Sequence, residues 1–277
     1  MSSKNDSNDG CYEAIINFLK AICDISRLKM INSLKNGEKH AKHFKRSLGK
    51  SHSTISTHIK QLVEQDIVST RIDGQMKYYN INNNQVFDVI AKIHRFVHND
   101  SDYGDQVAAI AKLAELLAQN IPIDKLAISF LEYAKQLTQS EHGYVATIDP
   151  ENGDLVSHTL THMFGKDCEM DNQEQGIRFS KGKDGIYPSL WGHSLNTKEP
   201  FFTNFPRKHE KSSGNIPNGH VPLENFLSYP VIFEQELVGQ IAVANSPFGY
   251  TDNDLEIIKK ISNLYAIAIN NHRLQVV

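Results

Sequence analysis

Ser51-His-Ser-Thr-Ile-Ser-Thr-His-Ile-Lys-Gln-Leu-Val-Glu-Gln-Asp66 decides how the first third of the chain folds. Within it Ile55, Ile59, Leu62 and Val63 recur at i, i+4, i+7 and i+8, the spacing of one apolar stripe on a helix. Ser51 stands where an N-cap hydroxyl accepts a free amide of the first turn. Away from the stripe lie small polar and basic groups: His52, Ser53, Thr54, Ser56, Thr57, His58 and Lys60. Hydroxyls, imidazoles and an ammonium of that reach meet base edges and phosphates when a helix lies in a major groove.

On the N-terminal side, Ile15, Ile16, Leu19, Ile22 and Cys23 mark one short helix, and Leu28, Met30, Ile31 and Leu34 a second before Gly37. Lys39 to Leu48 reads as a third, ended by Gly49 in left-handed backbone. Met1 to Gly10 is rich in Ser, Asn and Asp and is expected to be disordered. On the C-terminal side, Ser69 to Ile81 forms two extended runs around Asp73-Gly74, a dipeptide favoured at tight hairpin turns. Arg71 and Lys77 flank that turn, with Gln75 beside it, placed to meet phosphate or the minor groove. Helices, a polar-faced reading helix and a hairpin wing are the parts of a winged helix-turn-helix, a module that binds double-stranded DNA.

This region resembles the ArsR family of winged-helix repressors. The resemblance runs from Phe18-Leu-Lys-Ala-Ile-Cys-Asp-Ile-Ser-Arg-Leu-Lys-Met-Ile through Ser53-Thr-Ile-Ser-Thr-His-Ile-Lys-Gln-Leu to Lys77-Tyr-Tyr-Asn-Ile. It implies a homodimer, paired through the first helix and the helix after the wing (84–96), whose two reading helices meet a palindromic site. Asp66 replaces the family's usual glycine after the reading helix, a change that fits because Asp visits left-handed backbone more than most residues. Many relatives sense metals through thiols near the start of the third helix. The matching stretch here, Glu38 to Phe44, has no cysteine. His40 with His43, or His94 with His98, share a helical face, yet no carboxylate or third histidine completes the family's pattern, and no metal site is assigned.

Charge and length fit this division. Residues 1 to 80 carry 13 Lys+Arg against 8 Asp+Glu, a balance of +5; with −3 for the whole chain, the remainder carries −8. The basic share sits where a phosphate backbone would be met. A chain of 277 residues suggests two domains. No apolar run approaches the ~18 residues of a membrane span, and the polar start is unlike a secretory signal. Cys11, Cys23 and Cys168 fit neither a disulfide framework nor a CxxC metal site, which suits a reducing cytoplasm.

The expected organisation is a tail over 1–10, the winged helix over 11–98, a linker and connecting helix over 99–122, and a second domain over 123–277. Helices are expected over 107–117 and 125–137, strands over 143–149 and 154–161, a long irregular stretch over 162–225, strands over 226–233 and 237–245, and a helix over 252–271. That order suits a central antiparallel sheet with helices on one face, so the whole chain is α+β in two domains.

The second half resembles a GAF domain, a small-molecule-sensing fold. The carrying residues are Tyr187-Pro-Ser-Leu-Trp-Gly-His-Ser-Leu-Asn-Thr-Lys-Glu-Pro-Phe-Phe-Thr-Asn204, Gly219-His-Val-Pro-Leu-Glu-Asn-Phe-Leu227 and Glu236-Leu-Val-Gly-Gln-Ile-Ala-Val-Ala-Asn245. The subgroup it is similar to occurs in sensors of anaerobic prokaryotes, including methanogenic archaea, often joined to kinases. Here no GxxxxGK[ST] phosphate loop occurs, and the chain is expected to end with the domain's last helix. The resemblance places long loops over one sheet face, where a ligand would lie. Those loops hold His158, His162, Phe164, Cys168, Phe179, Tyr187, Trp191, His193, Phe202, His209 and His220. Tyr187 and Trp191 are suited either to stacking a flat ligand or to filling the core. Cys168 with His162, His193, His209 or His220 offers thiolate and imidazole, the ligand types of haem and metal ions.

The sequence therefore points to a transcriptional regulator of duplex DNA whose GAF half takes up a ligand, haem or redox signal. One alternative is a GAF half that serves only in dimerisation or partner binding. A remoter one is a GAF-fold redox enzyme, which the cysteine pair used by methionine sulfoxide reductases of this fold would require and this half lacks.

Overall fold

The computed structural model describes residues 5–98, 102–160, 177–212 and 222–276. The chain divides into two units, 1–89 and 90–277.

In the first unit α1 (Asn5–Ile22) begins inside the tail expected to be disordered. Asp24 caps α2 (Ile25–Leu34), accepting the Arg27 amide at 3.0 Å. The helix expected from Lys39 starts two residues later. Lys39–His40 is the short strand β1, and the His40 ring accepts the Lys42 amide at 3.1 Å to cap α3 (Ala41–Leu48). Gly49, at φ 63°, closes α3 as expected, and Ser51 opens α4 (His52–Glu64) by accepting the Thr54 amide at 3.2 Å.

Ile55, Ile59 and Leu62 bury the inner side of α4, which packs on α1, α2, α3 and the following strand. Val63, the fourth member of the stripe, is instead 37% exposed. At eight residues from Ile55 it lies about 80° round the helix, at the margin of the buried face. Asp66 takes the left-handed conformation at φ 55°, and its carbonyl accepts the Asn82 side-chain amide at 3.1 Å.

The wing strands β2 (Val68–Asp73) and β3 (Met76–Ile81) pair Asp73 with Met76, so the turn is Gly74-Gln75, one residue later than the Asp73-Gly74 dipeptide suggests. Positive φ at Gly74 (59°) but not at Gln75 is the pattern of a type II′ turn. β1 joins β3 to give the order β1-β3-β2. α5 (Gln85–His98) follows, and the division between units falls within it.

The second unit opens with α6 (Asp102–Leu117) and α7 (Ile123–Thr138). In α6, within the stretch expected as linker and connecting helix, Ala109 and Leu113 bury their side chains in the same core as Phe130 of α7 and Tyr265 of α9 (Asp252–Val276). Six antiparallel strands lie in the order β6-β5-β4-β9-β8-β7. They are β4 (His142–Ile148), β5 (Leu155–Leu160), β6 (Ile177–Phe179), β7 (Phe201–Thr203), β8 (Phe226–Phe233) and β9 (Glu236–Ala244).

Strand alternation gives the sheet two apolar faces. Val145, Leu227, Ile241 and Val243 meet α6, α7 and α9, whereas Tyr144, Ala146, Phe226, Ala242 and Ala244 cluster with Leu190 and Leu195 of α8 (Ser189–Thr197). A helix thus covers the face expected to carry loops alone. The stretch expected to be irregular over 162–225 contains β6, α8, β7 and a short 3-10 turn, Pro206–Lys208. Among the described residues no helix is long and apolar enough to cross a membrane.

His158 is grouped by sequence with the loop residues, but its electrostatic neighbours are Asp124 of α7 and His272 of α9, in the helical layer. Its Nε2 lies 2.9 Å from the Thr147 hydroxyl. Burial is the largest influence on the ring and holds its pKa below the ordinary value of 6.5. Above that value the ring is neutral both folded and unfolded, and stability is unaffected. Below it the unfolded chain takes up a proton that the folded chain resists, so stability is lost as pH falls. Lowering the pH from 7.5 to 5.5 is expected to lower the thermal midpoint more in the natural chain than in His158→Gln, as measured by calorimetry.

Candidate functional site

Along α4 the side chains His52, Ser53, Ser56, Thr57 and Lys60 are exposed, and Thr54 is half-buried. The Ser51 hydroxyl lies 2.9 Å from that of Ser53 and 2.8 Å from that of Thr54, so the helix start is a linked cluster of hydroxyls. Thr57 donates its hydroxyl to the Ser53 carbonyl at 3.1 Å. That bond fixes the side chain and leaves the oxygen's lone pairs and the methyl group as its outward functions, suited to a base amino group or a thymine methyl. Lys60 pairs with Glu64 at 3.6 Å in an exposed i, i+4 bridge, an interaction weak enough to exchange for a phosphate.

His58 is placed differently. Its Nδ1 lies 3.8 Å from Asp24 Oδ1 and 3.4 Å from Arg27 Nη1, with the side chain 15% exposed. Sequence reasoning gave Arg27 no role, yet it fastens three helices. Nε donates to the Ala21 carbonyl at 2.6 Å and Nη2 to that of Lys20 at 3.0 Å, binding free carbonyls at the end of α1. Nη1 donates to Gln61 Oε1 on α4. The only local signal is its place in the first turn of α2, since its partners lie up to 34 residues away.

The wing separates its two cations. Residues paired across an antiparallel ladder share a face and alternate along it. Arg71 pairs with Tyr78 and Asp73 with Met76, on one face; Ile72 pairs with Lys77 and Thr70 with Tyr79, on the other. Lys77 is exposed, its ammonium 5.8 Å from the Tyr79 ring centre, and Gln75 is exposed at the turn. Arg71 is held by Glu38, Nε to Oε2 at 3.0 Å and Nη2 to Oε1 at 2.7 Å, and by Asp73 at 3.1 Å. The Arg71 hydrogen bond holds the Glu38 carboxyl below its usual range.

In the second unit, Tyr187 and Trp191 are parts of the core beneath and beside α8. Tyr187 is buried, donating its hydroxyl to the Gly153 carbonyl at 2.7 Å, and Trp191 stands edge-on to it with ring centres 5.8 Å apart. Gly192 permits the contact, because a Cβ there would lie 2.4 Å from the Tyr187 carbonyl oxygen. Gln240 of β9, fully buried, ties the layer together. Its amide donates to the Trp191 carbonyl (2.7 Å), Ser228 (2.8 Å) and Ser194 (3.0 Å), while its oxygen accepts the Tyr144 hydroxyl at 2.7 Å. Burial pushes the Tyr144 phenol far above its usual range, so it remains a donor.

His193 and His209 do come together. Their ring centres are 5.2 Å apart, each beside Phe201, and His209 Nδ1 accepts the Lys211 amide at 3.2 Å. Burial, and then the neighbouring His193, holds the His209 pKa below its ordinary value. Cys168, His162, Phe164 and His220 lie outside the described residues. Among the described residues no group of three or more His, Cys, Asp or Glu side chains is arranged to hold a metal ion.

With this geometry, the comparisons with known proteins divide as the two units do. A GAF domain model matches residues 120–270, more than half of the chain, and the chain belongs to that family. A model of the bacterial regulatory proteins of the arsR family matches residues 24–70, so the N-terminal unit carries the helix-turn-helix of that family. A methyl sulfide methyltransferase-associated sensor of Methanosarcina acetivorans is 26% identical over 157 residues, 55% of this chain but 14% of the sensor. The chain thus spans a small part of that relative. The arsenical resistance operon repressor of Staphylococcus aureus is 32% identical over 83 residues, 30% of this chain and 80% of the repressor. Among solved structures, the GAF domain of a Coxiella burnetii phosphoenolpyruvate-protein phosphotransferase superposes with a TM-score of 0.53 at 13% identity, covering 64% of this chain and 99% of that one, which shows the fold alone.

Replacing Gln240 with leucine strands the Tyr144 hydroxyl and the Trp191 carbonyl in the core. At about 1–3 kcal/mol for each of the two stranded groups, Gln240→Leu is expected to destabilise the second unit by about 2–6 kcal/mol. Calorimetry of the full chain measures this, and a change below about 0.5 kcal/mol would contradict the assigned network.

Proposed function

We propose that the chain is a one-component transcriptional regulator that binds palindromic duplex DNA as a homodimer in the cytoplasm, its affinity set by a signal taken up at the GAF domain. The observation that carries this reading is the outer face of α4. His52, Ser53, Ser56, Thr57 and Lys60 stand exposed on a helix whose other side is fixed by Ile55, Ile59, Leu62 and the Arg27 clasp. A rigid helix with short polar side chains reads base edges, and Lys77 on the wing adds a phosphate contact.

Two unpartnered apolar stripes support the homodimer. On α1, Tyr12, Ile15, Ile16 and Leu19 are all exposed at i, i+3, i+4 and i+7. On α5, Val89, Ile93, Phe96 and Val97 repeat at i, i+4, i+7 and i+8, with Phe96 84% exposed. Apolar helix faces of that kind are stabilised by burial against a second copy. The relatives' names, a sensor and an operon repressor, agree with a signal-controlled regulator.

The signal would act through a ligand, haem or redox change that favours one dimer geometry over another. Such a change would be passed on by the helices over 107–137, which open the second unit. A second reading, in which the GAF domain only dimerises or binds a partner, is favoured by one observation: Tyr187, Trp191, Leu190 and Gln240 fill the space between α8 and the sheet with the protein's own side chains. Visible absorption by the purified chain, lost in Cys168→Ala, supports haem; a colourless protein from which mass spectrometry recovers no small molecule supports the second reading.

On duplex selected from genomic fragments, Ser53→Ala or Thr57→Ala is expected to reduce discrimination between matched and mismatched sites by roughly 1 kcal/mol. Lys77→Ala is expected to weaken binding to all sequences and lower the slope of log K against log salt by about 0.9. Phe96→Glu is expected to yield monomers by sedimentation and to lose tight binding; full affinity in all of these variants would refute the assigned docking.

A further inference from the structure

The wing carries two cations, Arg71 three residues before the Gly74-Gln75 turn and Lys77 two residues after it, and the ladder puts them on opposite faces. Lys77 is exposed, with its ammonium 5.8 Å from the Tyr79 ring centre, whereas every guanidinium nitrogen of Arg71 donates to a carboxylate. Nε and Nη2 meet both oxygens of Glu38, at 3.0 and 2.7 Å, and Nη1 meets Asp73 at 3.1 Å. The guanidinium carbon also lies 4.9 Å from the ring centre of Tyr78, its cross-strand partner. On that ring's other contact, His40 stands edge-on at 5.8 Å. Glu38 and His40 flank Lys39 in the segment between α2 and α3, and His40 caps α3. Arg71 therefore joins the outer wing strand to the segment that starts α3, across 33 residues of sequence.

We infer that Arg71 is a positioning residue that braces the wing through Glu38, and that Lys77 alone provides the wing's phosphate contact. This deepens the DNA-binding reading above and rests on it. Fork-to-fork pairing of a guanidinium with a carboxylate is strong and directional because two parallel bonds fix the angle as well as the distance. A guanidinium released to a phosphate would leave Glu38 and Asp73 as bare carboxylates beside polyanionic DNA. The clamp offsets one of the two carboxylate charges on that face of the wing and sets the tilt at which the turn meets the duplex.

The test is a charge swap in the full chain, with binding to a selected duplex measured across a salt series. Arg71→Glu and Glu38→Arg, made singly, are each expected to weaken binding roughly tenfold or more, because each places two like charges at the brace. The double variant restores an opposite pair and is expected to bind within roughly threefold of the natural chain, with the same salt slope. If the double variant stays as weak as Arg71→Glu and its salt slope falls by about 0.9, Arg71 touches phosphate and the inference is wrong. Single variants that bind like the natural chain would also overturn it, since the brace would then set nothing. Should either charge reversal fail to fold, the neutral pair Arg71→Gln with Glu38→Gln replaces it: an unchanged salt slope supports the brace, and a slope lower by about 0.9 refutes it. A natural chain that binds no duplex marks the failure of the DNA-binding reading itself, and the inference falls with it.

Discussion

Burial of Ile55, Ile59 and Leu62 is the constraint from which the first unit follows. A helix of 13 residues has one side to give to a core, and once those three side chains take it, every other position is turned toward water or a neighbour. Full burial of such side chains is worth about 1.5–3 kcal/mol each, enough to fix the rotation of α4 against exposed polar groups that gain little either way. Arg27 then fixes what burial leaves open. By binding the last carbonyls of α1 and the Gln61 side chain, it ties the ends of two helices to the flank of a third. The outer face of α4 is thus presented by a frame whose parts are satisfied elsewhere.

The second unit solves a different problem. A sheet buried on both faces needs a cover for each, and the two covers differ in kind. α6, α7 and α9 pack apolar side chains against one face, with Phe130 and Tyr265 5.0 Å apart at its centre. The opposite face is thinner and partly polar, and α8 is held there by the bonds of Gln240 as well as by Leu190 and Leu195. Buried polar groups specify an arrangement because their bonds are directional and costly to leave unmade. That face is therefore well defined, and a ligand entering it would have to replace contacts already satisfied.

Much of this was legible in the residues. Caps at Ser51 and Gly49, left-handed backbone at Asp66 and the strands 226–233 and 237–245 all depend on local backbone chemistry or on apolar period, which neighbouring residues reveal. The misreadings share a cause. Residues 162–225 look irregular because β6 and β7 are three residues each, too short for alternation to register, and α8 is nine residues long. The burial of Ala109 and Leu113 in α6 is likewise unmarked in their own neighbourhood, because it depends in part on α9, far along the chain.

The sequence by itself determined the two families, the order of elements, the reading helix and the chemistry of its outer face, since these rest on periodicity and on the side chains of contiguous residues. Only the tertiary structure decided what each of those groups touches. His58 and Arg71 have the right chemistry to meet DNA, and in the fold Asp24 and Arg27 lie against the first, and Glu38 and Asp73 against the second. The physical reason is sequence distance: Glu38 and Arg71 stand 33 residues apart, and no period within either segment encodes a bond that exists only once the chain has folded back.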